Sequence, residues 1–240
     1  MPRKLEIAGR FRGPPGTANG GYLAGLLAEG LGGAVEVTLR APTPVDAPLE
    51  IGENADGSRS LWHEGAELAR AARGELALEL RPAPDPRETA ARAGDCRAMR
   101  THPFPECFVC GPARAVGDGL RIFPGVVPGG GAVAALWTPD ASLADEQGRV
   151  APAFLWAALD SPSAFPLLEP DSARALEPMV LGRICASLDG ELRAGEPASL
   201  VAWQIGLDGR RGVAGIALYG AQGNVVARAR ATWISRAGRA

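Results

Sequence analysis

Polar and apolar positions change period several times along the chain, and each change marks an element. The run ANGGYLAGLLAEGL, residues 18–31, is almost wholly apolar after an opening asparagine and two glycines. Asn19 there reads as the N-cap of a helix, with Gly20 and Gly21 as its first two residues. Glycine costs a helix about 1 kcal/mol relative to alanine, so two in the first turn point to a second requirement. One is close packing against a neighbour. The other is a pair of bare N–H groups at the positive end of a helix, open to a developing negative charge. Beyond this helix the period falls to two: Val35, Val37 and Leu39 alternate with polar residues. VEVTLRAPTPV, PLEIGENAD and SLWHEGAELARAARGELALEL read as strands, and Asp56-Gly57 and Glu64-Gly65 supply turns for an antiparallel meander. With a first strand near Leu5, the implied unit is one helix wrapped by a sheet.

Residues 81–106 lose the strand period and become rich in Pro, Ala and Arg, which reads as a connection containing a short helix. The earlier order then returns. GLRIFPGVV and AVAALW are strand-like, APAFLWAALDSPSAF is a helix ending near Pro162, and four strands follow: MVLGRICASLDGEL, SLVAWQIGLDG, GVAGIALYGAQ and NVVARARATWISR. SLWHEGAELARA (60–71) also matches ALYGAQGNVVARA (217–229) with one insertion, so a duplication is the economical explanation.

Composition narrows the function. With 240 residues, 46% hydrophobic and 22% charged, and a formal net charge of −2, the chain has the profile of an ordinary globular protein without the basic footprint of a nucleic-acid binder. No window approaches a membrane span and the N-terminus lacks the apolar stretch of a signal peptide, so a cytoplasmic protein is the expectation. Four cysteines without an export signal argue against a disulfide framework. Cys96, His102, Cys107 and Cys110 fall within fifteen residues, and the last two cysteines have the C-x2-C spacing of a zinc knuckle. No second C-x2-C pair completes it, so reduced thiols packed at the entry to the second half, with no metal or other cofactor, are the expectation.

One helix followed by a meander, twice over, resembles the double hotdog fold of acyl-CoA thioesterases, including the acyl-CoA thioesterase II group. NGGYLAGLLA is similar to the HGG-plus-helix motif of single-hotdog thioesterases, with Asn19 in place of histidine. LRAPTPVDAPLEI resembles the strand after that helix, and CFVCGPARAVGDGLRI (107–122) the CFVCG…GL entry to many hotdog domains. The resemblance implies an α+β protein of two tandem hotdogs, residues 1–85 and 107–240, joined by a linker at 86–106. Each would wrap a central helix in antiparallel sheet, and the two would pack as a pseudo-dimer, monomeric or assembled into a homo-oligomer. It also implies hydrolysis of an acyl-CoA or acyl-carrier thioester. A non-catalytic acyl-thioester binding protein of the same fold is the alternative.

The family places an acidic base or nucleophile nine positions after the histidine of HGG. Counting from Asn19 reaches Ala28, with Glu29 turned about 100° away; counting from Ala151 reaches Asp160. Conversely, Pro152 stands where the first helix has Gly20, and proline has no N–H to offer an oxyanion. The resemblance therefore implies one composite site: Asn19, Gly20 and Gly21 from the first half and Asp160 from the second, the carboxylate facing the glycines across room for a substrate group and a water. Tyr22, Trp156 and Thr232 are the expected substrate contacts, Thr232 lying near the place of a strand threonine in the thioesterase II pattern. The glutamine of that pattern has no counterpart, Ala231 standing near its place. Neither His63 nor His102 falls on a predicted central helix, where a hotdog dehydratase needs its catalytic histidine.

Overall fold

Both predicted helices form, and they form in the same frame. In the computed structural model, which describes residues 2–169 and 178–236, β1 (Arg3–Glu6) leads through a 3-10 turn to α1 (Gly20–Ala28), capped by Asn19. The meander β2 (Val35–Leu39), β3 (Pro48–Glu53), β4 (Arg59–His63) and β5 (Ala66–Arg73) follows. The β4–β5 turn puts Glu64 at φ 48° and Gly65 at φ 81°, the left-handed pair that a tight hairpin requires. Two short helices, α2 (Pro86–Ala91) and α3 (Arg97–Arg100), occupy the connection. The second half contains β6 (Gly125–Val126), β7 (Ala132–Trp137) and α4 (Pro152–Asp160), then a 3-10 turn and α5 (Phe165–Leu168). It ends with β8 (Met179–Leu188), β9 (Ala198–Asp208), β10 (Arg211–Gly220) and β11 (Val225–Ser235).

The strands form one antiparallel sheet in the order β1-β3-β4-β5-β2-β8-β11-β10-β9-β7-β6. Its seam is β2 against β8, with Val37 opposite Ile184. Outward from the seam run β5, β4, β3 and β1 on one side and β11, β10, β9 and β7 on the other, so the halves are related by a pseudo-twofold axis. The two rhyming segments are the hairpins β4–β5 and β10–β11, which hold matching places in that order. α1 and α4 lie side by side inside the curve of the sheet, α1 on β2 and β5, α4 on β8 and β11. Leu23, Leu27, Leu155 and Leu159 are buried there with Val37 and Ile184. This is the tandem hotdog arrangement, α+β in class.

Three expected elements come out differently. Residues 74–80 alternate but form no strand. Leu78 and Leu80 instead pack on the outer face of the second half's sheet with Trp203, Ala217 and Tyr219, so the period of two records a surface rather than a ladder. GLRIFP is not a strand either: Arg121 has φ 54°, and the Leu120 and Ile122 amides donate to the Phe108 and Val109 carbonyls. The second helix breaks at Asp160, whose ψ of −95° turns the chain into the 3-10 segment before Pro162. Among the described residues no helix is long and apolar enough to cross a membrane.

Candidate active site

The helix pair is held together by small residues. A Cβ on Gly21 would lie 2.4 Å from Asp160 Cβ and 2.6 Å from the Trp156 carbonyl oxygen, and one on Gly25 would lie 2.6 Å from Ala153 Cα. α1 and α4 are therefore antiparallel and in backbone contact, with the start of one against the end of the other. That contact carries Asp160 onto the first turn of α1. Its Oδ2 accepts from the Asn19 side-chain amide at 2.6 Å and from the Gly21 N–H at 2.9 Å. Asn19 is fixed in orientation because its Oδ1 caps α1, accepting from the Tyr22 N–H at 2.9 Å. The Asp160 backbone is anchored as well: Ser163 Oγ donates to its carbonyl at 2.7 Å, and Trp233 Nε1 donates to Ser163 Oγ at 3.0 Å.

Asp160 is 2% exposed, and its Oδ1 has no hydrogen-bond partner among the described residues. Burial pushes its pKa up to about 7, with the nearby Cys107 sulfur adding to the rise and the Gly21 and Asn19 donors opposing it. A carboxylate poised near neutrality with one oxygen tethered and one free is suited to take a proton from water. The first-turn amides of α1 are mostly spoken for: Gly21 donates to Asp160, Tyr22 to Asn19 Oδ1 and Leu23 to the Asn19 carbonyl. Gly20 N–H has no acceptor among the described residues, and a Cβ there would sit 3.7 Å from Asp160 Oδ2.

Asn19, Gly20, Asp160, Ser161 and Cys107 form the polar end of a cavity of about 420 Å³. Leu23, Leu39, Met179, Leu181 and Trp233 supply its apolar wall, and Arg40 and Arg236 also border it. Two other depressions, around Arg3 and Arg59 and around Arg121 and Leu136, hold no buried acid.

The structure thus brings Asn19, Gly20, Gly21 and Asp160 together, but without the gap the sequence suggests. Gly21 donates directly to Asp160, so no substrate group fits between those two. Tyr22, Trp156 and Thr232 do not line the cavity. Tyr22 stacks on Phe11 at 4.3 Å in a cluster with Phe108 and Phe154, on a different face of α1. Trp156 is buried against Gly25. Thr232 is half-buried between the inward residues Ala231 and Trp233, next to a register shift in β11, and it is Trp233 and Ile234 that reach the cavity. Ser161, Cys107, Arg40 and Arg236 were not anticipated there. Cys107 carries the one signal that sequence offers, its place in the C-x2-C motif. Among the described residues no three His, Cys, Asp or Glu side chains converge as a metal site.

No family model matches the chain, and no curated protein matches it in sequence. Solved structures do match in fold. A tesB protein from Mycobacterium avium subs paratuberculosis superposes with a TM-score of 0.62 at 12% identity, covering 98% of this chain and 92% of that one. An acyl-CoA thioesterase II, TesB2, from Mycobacterium marinum gives 0.60 at 13% identity, over 92% and 90% of the two chains. A conserved protein of unknown function with a hot dog fold from Alicyclobacillus acidocaldarius gives 0.60 at 12% identity, over 98% and 93%. The chain has the double hotdog fold over its whole described length.

Proposed function

We propose that the protein is a thioesterase that hydrolyses an acyl-CoA or a related acyl thioester at one composite site between its two hotdogs. The observation that carries this reading is Asp160: a buried carboxylate held on one oxygen by the other half of the molecule, its second oxygen unpartnered, in a residue that borders an apolar-walled cavity. In the reaction, Asp160 takes the proton of a water that attacks the thioester carbonyl, its carboxylate held in place by Asn19 and Gly21. The Gly20 N–H, at the positive end of α1, stabilises the oxyanion. The acyl chain lies along Leu23, Leu39 and Leu181. Arg40 and Arg236 suit a phosphate-bearing carrier, although Arg40 also pairs with Glu67 at 3.2 Å. The fold likeness to acyl-CoA thioesterases supports the same class.

The occupied Gly21 amide and the unmatched glutamine favour the second reading, an acyl-thioester binding protein without turnover. A panel of acyl-CoAs assayed for released thiol separates the two. Under the first reading Asp160→Asn lowers turnover about 10²–10⁴-fold without lowering the melting temperature. Saturable acyl-CoA binding with no thiol released by the wild type establishes the second reading instead, and an Asp160→Asn variant as active as the wild type removes Asp160 from the chemistry.

A further inference from the structure

The C-x2-C pair is left unused by this reading, yet it sits on the same cavity. Cys107 and Cys110 are both free thiols with less than a twentieth of their surface exposed. The turn between them is locked: the Gly111 N–H donates to the Cys107 carbonyl at 2.9 Å, and a Cβ on Gly111 would lie 2.5 Å from that oxygen, so only glycine fits. Cys107 borders the cavity. Its Sγ is 3.4 Å from Ser161 Oγ, and Ser161 Oγ in turn accepts from Asn19 Nδ2 at 3.5 Å. Because Asn19 can only donate from that nitrogen, the Ser161 hydroxyl is free to point its proton at the sulfur.

The other side of the pair is ordered by His102. The Phe104 N–H donates to His102 Nδ1 at 3.1 Å, which fixes the neutral ring with its proton on Nε2. That Nε2–H donates to Cys110 Sγ at 3.1 Å. Burial holds the His102 pKa down at about 4, so the ring stays neutral at ordinary pH. With its sulfur accepting from His102, Cys110 keeps its own S–H to donate, and its neighbour in the same C-x2-C turn is Cys107. The Ser161 hydroxyl thus faces Cys107, while the histidine donates to Cys110.

We propose that Cys107 is a nucleophilic thiol at the cavity wall and Cys110 its resolving partner, together forming a thiol–disulfide exchange site for a small organic disulfide. The order of nucleophile and resolver follows from the direction of the hydrogen bonds and from the cavity, which reaches Cys107. The surroundings that lower the Cys107 pKa to about 6 and hold that of Cys110 well above the usual thiol value act in the same sense. In the exchange, Cys107 thiolate attacks one sulfur of R–S–S–R, forming a Cys107–S–S–R bond and releasing RS⁻. Cys110 then loses its proton to the departing thiolate and attacks the Cys107 sulfur, expelling the second RS⁻. The two cysteines lose two electrons, and the reagent leaves as two RSH after taking up the two thiol protons. The site stands on its own whether or not the cavity hydrolyses thioesters.

The test uses reduced, folded full-length protein and bis(2-hydroxyethyl) disulfide, read by intact mass and peptide mapping. Wild type should lose the mass of two hydrogens, with the link mapped to Cys107 and Cys110 and no lasting adduct. Cys110→Ser should stop at a single hydroxyethylthio adduct on Cys107, and Cys107→Ser should acquire neither link nor adduct in the motif. Should either variant fold poorly, wild type alone decides: limiting N-ethylmaleimide should modify Cys107 roughly tenfold faster than Cys185 or Cys96. Exchange confined to Cys185 or Cys96, Cys107 no faster than Cys185, or a motif that reacts only after unfolding would overturn the proposal.

Discussion

The two ends of the α1–α4 pair are built on one plan and differ in the polar groups they carry at three matched positions. Each helix has nine residues, one capped by Asn19 and the other by Ala151. At both ends a glycine on α1 packs against the backbone of α4, Gly21 on Ala157 and Asp160, Gly25 on Ala153 and Trp156. In the pseudo-twofold frame Gly21 corresponds to Ala153, and Gly25 to Ala157. The close contact is thus kept where no acid is present, and the glycine at position 21 is first of all a packing residue. What distinguishes the ends is chemistry: Asn19 against Ala151, Gly20 against Pro152, and Asp160 against Ala28. One end has a cap amide, a bare N–H and a carboxylate; the other has none of the three. Retaining the machinery at one end only lets the other end be plain core.

The largest effect that separates the ends is the cost of keeping Asp160 ionised. Its folded pKa of about 7 lies above the ordinary 3.8, so the folded state binds its proton more tightly than the unfolded state does. The sign follows: this stabilisation is full below about pH 4 and is lost as pH rises toward 7, roughly 4 kcal/mol across the window. Stability measured by urea denaturation for wild type and Asp160→Asn should therefore diverge in favour of the variant between those pH values and run parallel above them. Parallel curves throughout would mean that Asp160 titrates normally. As a base the same group must be ionised, so kcat/KM of the wild type should climb with pH through about 7.

Next in size is Gly21→Val. A Cβ 2.4 Å from Asp160 Cβ and 2.6 Å from a backbone oxygen cannot be relieved by a rotamer change, so the helices must part. A loss of about 3 kcal/mol or more is expected, seen as a melting temperature lower by roughly 6–12 °C. If the two glycines served only to present N–H groups, the expectation would be the opposite, a variant that blocks an oxyanion site while folding well. A melting temperature close to wild type would restore that view.

That reversal shows what was legible and what was not. The nine-residue frame from Ala151 to Asp160, the Asn19 cap and the lost donor at Pro152 could all be read along the chain, because capping and helical spacing are local. The hairpin turns at Asp56-Gly57 and Glu64-Gly65 were legible for the same reason. The separation between Asp160 and Gly21 was not, since it depends on how closely two helices distant in sequence approach, and four small residues shared between them decide that. Leu78 and Leu80 misled because alternation records which side chains are covered, whether the segment joins a ladder or lies across the face of a sheet. The spacing of Cys107, Cys110 and His102 suggests packed, reduced thiols beside an incomplete zinc knuckle; the contact of Cys107 with Ser161 becomes visible only when the fold brings the two together. Gly111 and Gly119 of the CFVCG…GL segment press on the carbonyls of Cys107 and Phe108, so much of that motif's signal is packing.

A smaller effect comes from adding the acid to the empty end. Ala28 is 8% exposed, and the facing turn has no side-chain amide at Ala151 and no N–H at Pro152. Ala28→Asp therefore buries a carboxyl with the Ala153 N–H as the counterpart of Gly21 but without the side-chain amide that Asn19 gives Asp160, and should cost about 1–3 kcal/mol by urea denaturation. Adding Ala151→Asn should return part of that loss. If Ala28→Asp proves harmless alone, the Asn19 amide is not what makes Asp160 tolerable.

The smallest effect is Ala151→Asn in the otherwise natural chain. Ala151 has the extended backbone of an N-cap, φ −62° and ψ 141°, and makes no side-chain capping bond. Asn19 has nearly the same angles, φ −62° and ψ 129°, and does make one. An asparagine at 151 should therefore cap α4 as Asn19 caps α1, stabilising the protein by about 0.5–1 kcal/mol. With Ala28 opposite, its side-chain amide meets no carboxylate and thioester turnover should not change. A gain in stability with unchanged turnover separates the two tasks that Asn19 combines, capping a helix and holding an acid. A variant that alters turnover would show instead that the two ends of the helix pair are coupled.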